Sequence, residues 1–182
     1  MLSITSIVAS LLLAHTALAN PVARASCNPN IASQGISLGS GTLEVGYASS
    51  VAGAAIVTQA LTTAAAEYIV ANAQTSNGGF QFIDFNESGA STQLVQTNSN
   101  GAVSLQTLVT PESGTQDWGL VCSTCNDAST VSAGGAFATG CNVVSGATGK
   151  CLQIGSAAGA AVTVQTCTDL ASGPQVFTIY RA

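Results

Sequence analysis

The segment Ile56-Val57-Thr58-Gln59-Ala60 decides the fold, because the chain repeats its pattern as VSLQT at residues 103–107 and as VTVQT at residues 162–166. A Gly-Ala pair precedes the three copies, at residues 53–54, 101–102 and 159–160. A short apolar segment precedes each of these pairs. Two β-branched runs joined by a glycine-containing turn are typical of a β-hairpin. The sequence therefore predicts three copies of one hairpin.

An aromatic residue follows each hairpin at a constant distance. Tyr68 lies 23 residues after the strand-like segment that ends at Val45, and Trp118 and Phe177 follow the corresponding segments at the same distance. A repeat of this length indicates an architecture built from similar units. The sequence predicts an all-β domain with repeats of about 36–85, 86–140 and 141–182, and it predicts that the three aromatic residues are buried in strands. The alanine-rich run before Tyr68 is expected to hold at most one helical turn, near residues 62–66.

The first nineteen residues are typical of a secretory signal peptide. An apolar run from Ile7 to Leu13 is followed by small residues that end in Ala17-Leu18-Ala19. This run is too short to span a bilayer, and it predicts cleavage before Asn20. Residues 20–35 contain two prolines and are expected to form an irregular N-terminal arm, so the folded domain should be 36–182. We expect a secreted, extracellular protein that acts as a monomer.

The charge content excludes several classes of function. Only 6% of the residues are charged, and the net charge is −5. After residue 19 the chain has no histidine and three basic residues, so it offers little to a phosphate backbone or to an anionic membrane. The lack of histidine also excludes Ser-His and Cys-His nucleophiles. The sequence predicts a non-catalytic protein without a metal or cofactor, although the carboxylate pairs Asp84–Glu87 and Asp127–Asp169 leave a glycosidase open.

All six cysteines follow the predicted signal peptide, which favours disulfides formed in an oxidising compartment. Cys151 and Cys167 flank the third hairpin, so strand pairing should bring them together. Closing a loop of about 15 residues contributes roughly 3 kcal/mol in the chain-entropy model. The remaining four allow three pairings, which the sequence leaves open: Cys27, Cys122, Cys125 and Cys141.

Two other segments carry interpretable patterns. Asn86-Glu87-Ser88 is an N-glycosylation sequon in a predicted turn, so Asn86 is a candidate for glycosylation. Residues 126–140 are rich in Ser, Gly and Ala and are bounded by cysteines. This composition predicts a surface loop tethered by a disulfide.

The third repeat resembles a subdomain of the ricin B-chain-like (R-type) lectins. The resemblance rests on GKCLQI at residues 149–154, on VTVQTC at 162–167, and on the closing QVF at 175–177. The second repeat has the family's Gln-x-Trp close in full, as Gln116-Asp117-Trp118. Family membership implies a β-trefoil, in which three four-stranded units surround a pseudo-threefold axis and the closing aromatics share one core.

The resemblance also implies where a sugar would bind. The family uses an Asp after Cys-Leu, an aromatic late in the hairpin and an Asn before the closing Gln. This chain has Gln153, Gln165 and Pro174 at these positions of the third repeat, and Gln175 matches the closing Gln. The first repeat keeps a carboxylate at Glu44. The resemblance therefore implies a carbohydrate-binding module with a degenerate site, whose partner is a glycan or glycoprotein and whose candidate residues are Glu44, Gln153, Gln165 and Gln175.

Other readings of the same residues stay open. Gln116 and Gln175 are also expected to hydrogen-bond local backbone and hold a turn. A trefoil can instead inhibit a protease or bind a protein surface through an exposed loop, for which residues 126–140 are the candidate, because fold alone does not fix function. A weakly charged structural protein of a wall or matrix is a third reading.

Overall fold

A computed structural model describes residues 26–62, 67–72, 79–85, 92–97, 101–109, 114–168 and 172–182, with the backbone alone for 92–97. The chain is all-β in these ranges, apart from two short 3-10 helices at Gly114–Gln116 and Ala128–Thr130. The predicted signal peptide, the sequon at Asn86 and most of the predicted helical turn at 62–66 lie outside the described residues.

Thirteen strands are present in the described part of the chain. In chain order they are β1 Gly35–Ser40, β2 Leu43–Tyr47, β3 Ile56–Ala60, β4 Tyr68–Asn72, β5 Phe80–Asp84, β6 Thr92–Thr97, β7 Val103–Thr107, β8 Trp118–Val121, β9 Thr124–Cys125, β10 Ala136–Ser145, β11 Cys151–Gln153, β12 Thr163–Gln165 and β13 Phe177–Arg181.

The three predicted hairpins are confirmed. β2 pairs with β3, β6 with β7, and β11 with β12, each pair antiparallel. Burial alternates along β3 and β7, as expected for strands with one face against a core. We call β1–β4 the first unit, β5–β8 the second and β10–β13 the third, so that each unit holds one hairpin between two outer strands.

The outer strands of the three units pair in a closed ring. β1 pairs with β4, β4 with β5, and β5 with β8. The ring continues from β8 to β10, from β10 to β13, and from β13 back to β1. A ring of this kind leaves none of its strands with a free edge for pairing with another chain.

The hairpins also contact one another in a cyclic order. Residues at equivalent positions form three isolated bridges, Ala55–Ser104, Ala102–Thr163 and Ala161–Val57. The glycines of the Gly-Ala turns all have positive φ, between 76° and 86°. This conformation suits glycine, which has no Cβ to clash. The three bridges show that the residue after the turn of each hairpin pairs with the second strand of the next hairpin. The sequence repeat thus corresponds to a cyclic structural repeat.

The aromatic residues of the repeat lie in the core, as predicted. Tyr68, Trp118 and Phe177 each begin a strand and are at most 1% exposed. Phe82 lies between two of them, with ring centroids 6.1 Å from Tyr68 and 6.5 Å from Trp118. Such aromatic pairs stabilise a core beyond the area that they bury. The period in sequence thus identified the interior positions.

Three disulfides tie the chain together. The predicted bridge between Cys151 and Cys167 is present, and the other pairs are Cys27–Cys125 and Cys122–Cys141. Cys27 and Cys122 also exchange two backbone hydrogen bonds, of 2.9 and 3.0 Å. The N-terminal arm is therefore fixed at Cys27, beside β8 and β9, by both covalent and backbone contacts.

The prediction of a loop at residues 126–140 is wrong for residues 136–140. β10 begins at Ala136, and Phe137 is fully buried. The predicted repeat boundary between residues 140 and 141 falls inside this strand. The Gly- and Ala-rich sequence of residues 136–140 shows no apolar alternation. These residues form a strand because they pair with β9 and β13, and not because of their own composition.

Candidate functional site

The third unit brings three of the four predicted sugar-binding residues together. Gln175 is 3% exposed, and its Nε2 donates to Oε1 of Gln153 at 3.1 Å and to the Thr166 carbonyl at 3.0 Å. Its Oε1 accepts from the backbone amide of Thr168 at 2.9 Å. Every polar atom of the Gln175 side chain thus has a protein partner, and the side chain holds the chain that leaves the hairpin.

The outer face of β11 and β12 carries the exposed groups of this unit. Gln165 is exposed, and its Nε2 lies 3.4 Å from the Thr163 hydroxyl. Thr163 pairs with Gln153, which is half-buried. Side chains of paired and alternate residues share one face of a hairpin. Gln153, Thr163 and Gln165 therefore form a continuous polar surface, which we call the amide face.

Gln116 shows that the closing glutamine has a structural role. Its side chain is 2% exposed, its Oε1 accepts from the Val109 amide at 2.8 Å, and its Nε2 donates to the Thr107 carbonyl at 3.0 Å. These are the backbone bonds that Gln175 makes at Thr168 and Thr166. The expectation that both glutamines hydrogen-bond local backbone is confirmed.

The structure buries Glu44 at the end of the first hairpin. Its side chain is 0% exposed, and its Oε1 accepts from the Thr62 amide at 3.1 Å and from the Thr62 hydroxyl at 2.7 Å. Thr62 follows β3 by two residues, as Val109 follows β7. Glu44 therefore does for the first hairpin part of what a closing glutamine does for the others.

The strand register also changes the alignment of the repeats. Glu44 lies opposite Gln59, whereas Gln153 lies opposite Thr163, two residues from the equivalent point of the third hairpin. Cys151, opposite Gln165, is the counterpart of Glu44. An alignment based on the constant distance to the aromatic residues matches Glu44 with Gln153. These two residues do not share a position in their hairpins, because the turns of the hairpins differ in length.

The glutamines that share the register of Gln165 are less accessible. Gln59 is half-buried, lies over Gly46, where a Cβ would come within 2.3 Å of its Cδ, and donates to the Tyr47 carbonyl at 2.9 Å. Gln106 is half-buried and donates to the Ser104 hydroxyl at 2.8 Å. Gln165 is therefore the most exposed member of the set.

The acidic residues of the described part of the chain lie on several different elements. No group of three or more His, Cys, Asp or Glu side chains there is placed to hold a metal ion. Asp127 caps the helix at Ala128–Thr130, and hydrogen bonds from the hydroxyl and amide of Ser129 lower its pKa. Its predicted partner Asp169 lies outside the described residues, as does Glu87, the predicted partner of Asp84.

Glu67 is a notable residue that the sequence did not single out. It is half-buried at the start of β4, and burial, with the charges of Glu44 and Asp84, raises its pKa from 4.5 to about 7. These three acids are far apart in sequence and stand at no motif spacing. Only the tertiary structure brings the charges of Glu44 and Asp84 within range of Glu67.

Within the described ranges, no helix has the length and apolar character needed to cross a membrane. The chain matches no known family model, no curated protein and no solved structure.

Proposed function

We propose that this chain is a β-trefoil of the R-type lectin kind. The closed ring of six outer strands and the cyclic contacts among the three hairpins support this architecture. The burial of Tyr68, Trp118 and Phe177 at equivalent points of the three units supports it further. The closing glutamines Gln116 and Gln175 support it as well, because both make the same backbone hydrogen bonds to the segment after their hairpin.

On this fold, the function that the geometry supports best is carbohydrate binding without catalysis. The observation that carries the proposal is the amide face, where Gln165 is exposed, Gln153 is half-buried and a hydroxyl lies between them. Amide and hydroxyl groups both donate and accept hydrogen bonds, as sugar hydroxyls do. No carboxylate or aromatic ring belongs to this face, so we expect weak binding of a neutral glycan or glycoprotein.

A glycan array with the secreted protein tests the proposal, using Gln165→Ala as the site variant. Gln106→Ala is the matched control, because Gln106 occupies the same register in the second hairpin. We expect saturable binding that Gln165→Ala reduces and Gln106→Ala leaves unchanged. Absence of binding across the array, or equal loss in both variants, would reject the amide face as a sugar site.

The proposal includes secretion, with a mature chain that begins at Asn20 and carries a glycan at Asn86. The three disulfides support an extracellular location, because such bridges form in oxidising compartments. Intact-mass measurement of protein from the culture medium, before and after glycosidase treatment, tests both points. A mass that retains residues 1–19 would contradict the predicted cleavage.

Residues 126–135 support a second candidate function, protein binding through a loop. The side chains of Ser129 and Thr130 are exposed, and the Arg181 guanidinium donates to the Ala128 and Val131 carbonyls at 3.2 and 2.7 Å. A loop held in one conformation loses little entropy on binding a protein. Inhibition of a protease panel that disappears after double alanine substitution at Ser129 and Thr130 would favour this function over glycan binding.

A further inference from the structure

Three cysteines lie side by side across three neighbouring segments of the chain. Cys27 and Cys122 exchange two backbone hydrogen bonds, of 2.9 and 3.0 Å, and form an antiparallel bridge. On the other side of Cys122, β8 pairs with β10, with Val121 opposite Asn142. Cys122 and Cys141 come next in this register, and a disulfide joins them. Cys122 therefore lies between Cys27 on one side and Cys141 on the other.

The side chains of this row are within reach of one another. Residues that lie directly opposite each other in antiparallel segments project to the same face. The Cα atoms of a hydrogen-bonded antiparallel pair, such as Cys27 and Cys122, are about 5.5 Å apart, which is a distance that a disulfide spans. In addition, Sγ of Cys27 lies 3.5 Å from the Cys122 carbonyl oxygen. Strand pairing thus gives Cys122 two neighbouring cysteines, of which it is bonded to Cys141.

The two disulfides of this region differ in their access to solvent. We call Cys27–Cys125 the outer bridge and Cys122–Cys141 the inner bridge. Both cysteines of the outer bridge are half-buried, and Thr124, which precedes Cys125 in β9, is exposed. Both cysteines of the inner bridge are at most 1% exposed. Because thiol–disulfide exchange requires access to a disulfide sulfur, an external thiol reaches the outer bridge first.

We propose that these four cysteines form a thiol–disulfide exchange site, in which a small external thiol opens the outer bridge and Cys27 then exchanges into the inner bridge. The ligand class is a low-molecular-weight thiol from the surrounding solution. The proposal does not depend on sugar binding, because this site lies where the N-terminal arm meets β8 and β9, whereas the amide face lies on β11 and β12.

The exchange balances in atoms and electrons. Two molecules of the external thiol reduce the outer bridge, which leaves thiols at Cys27 and Cys125 and releases the reagent as its own disulfide. The Cys27 thiolate then attacks Sγ of Cys122, so that the Cys27–Cys122 bond forms, the Cys122–Cys141 bond breaks and the electron pair leaves on Sγ of Cys141. The Cys141 thiolate takes up one proton, which offsets the proton that the Cys27 thiol released.

The order of the cysteines across the strands suits the second step. A thiolate attacks a disulfide sulfur along the axis of the S–S bond, opposite the sulfur that leaves. Cys27 and Cys141 flank Cys122 on opposite sides, so attack by Cys27 expels Cys141 in this direction. The backbone hydrogen bonds to Cys122 keep Cys27 in place after the outer bridge opens, and the reaction is therefore intramolecular. The N-terminal arm thus regains a covalent attachment, through Cys122 in place of Cys125.

Limited reduction of the full chain with reduced glutathione tests the exchange. Acid quenching, alkylation and tandem mass spectrometry then identify the bridges and the thiols. We expect a Cys27–Cys122 bridge in molecules that carry alkyl groups on Cys125 and Cys141. Alkylation of Cys27 and Cys125 beside an intact Cys122–Cys141 bridge would overturn the proposal, because the outer bridge would then open without exchange.

Cys125→Ser supplies an independent measurement, because it leaves Cys27 as a thiol without any reductant. We expect this variant to lose the inner bridge, to form Cys27–Cys122 and to expose a Cys141 thiol to alkylation after unfolding. Cys167→Ser is the matched control, since it frees a thiol in the third hairpin and should retain the inner bridge. Equal retention of the inner bridge in the two variants, or equal loss of it, would overturn the proposal. If Cys125→Ser does not fold, the limited reduction of the wild-type chain decides the question.

Discussion

Replacing Gln175 by Leu should destabilise the protein, because this buried side chain closes the third hairpin. The substitution keeps an apolar stem of similar size but removes the four hydrogen bonds that join Gln175 to Gln153, Thr166 and Thr168. Each such bond contributes about 1 kcal/mol net. Since Thr166 and Thr168 are exposed, water can replace part of the loss. We expect the free energy of unfolding to fall by about 2–3 kcal/mol.

Guanidinium denaturation with intact disulfides measures this effect. Gln116→Leu removes two such bonds and should cost about 1–2 kcal/mol, while Gln165→Leu on the exposed amide face should stay within about 0.5 kcal/mol. A ranking in which Gln165→Leu costs as much as Gln175→Leu would refute the argument that the closing glutamine is a structural residue. Unchanged stability of Gln175→Leu would refute it as well.

Three other predictions concern separate parts of the fold. Gly101→Ala should cost at least about 1–2 kcal/mol, because φ is 76° and a Cβ would stand 2.8 Å from the Val164 carbonyl oxygen; thermal unfolding checks this, and an unchanged midpoint would contradict the close approach of the hairpins. Mild reductant should open the bridge at the exposed Cys167 before the buried Cys122–Cys141, as thiol labelling and mass mapping would show, and the reverse order would refute this use of burial. Glu44→Gln should reduce the loss of thermal stability between pH 5 and pH 8, because the charge of Glu44 is one of the causes that raise the pKa of Glu67; an unchanged loss would argue against this charge effect.

Several features of the fold could be predicted from the sequence because they are local. A β-branched run next to a Gly-Ala turn specifies a hairpin through short-range backbone preferences, and the three copies indeed form three hairpins. The spacing of Tyr68, Trp118 and Phe177 identified interior positions, since equivalent points of a repeated unit share one environment. The bridge of Cys151 to Cys167 followed from the same hairpin.

The candidate site was predictable only in part. The pattern of the repeat pointed to Gln153, Gln165 and Gln175, which the structure brings together, but it could not separate the exposed Gln165 from the buried Gln175. It also aligned Glu44 with Gln153, whereas the strand register makes Cys151 the counterpart of Glu44, because turns of different length shift the register without changing the distance to the aromatic residue. Exposure and register both depend on packing between segments.

The tertiary structure alone decided the features that depend on distant segments. It determined the pairs Cys27–Cys125 and Cys122–Cys141, and it made a strand of Ala136–Ser145, whose first five residues belong to the predicted loop. It also half-buried Glu67, and this burial, with the charges of Glu44 and Asp84, raises the pKa of Glu67. The sequence by itself determined the repeated hairpin and its core aromatics, since these arise from short-range order. The surroundings of a charged group or a thiol are set by contacts between residues that are far apart in the chain, so a local sequence pattern cannot predict them.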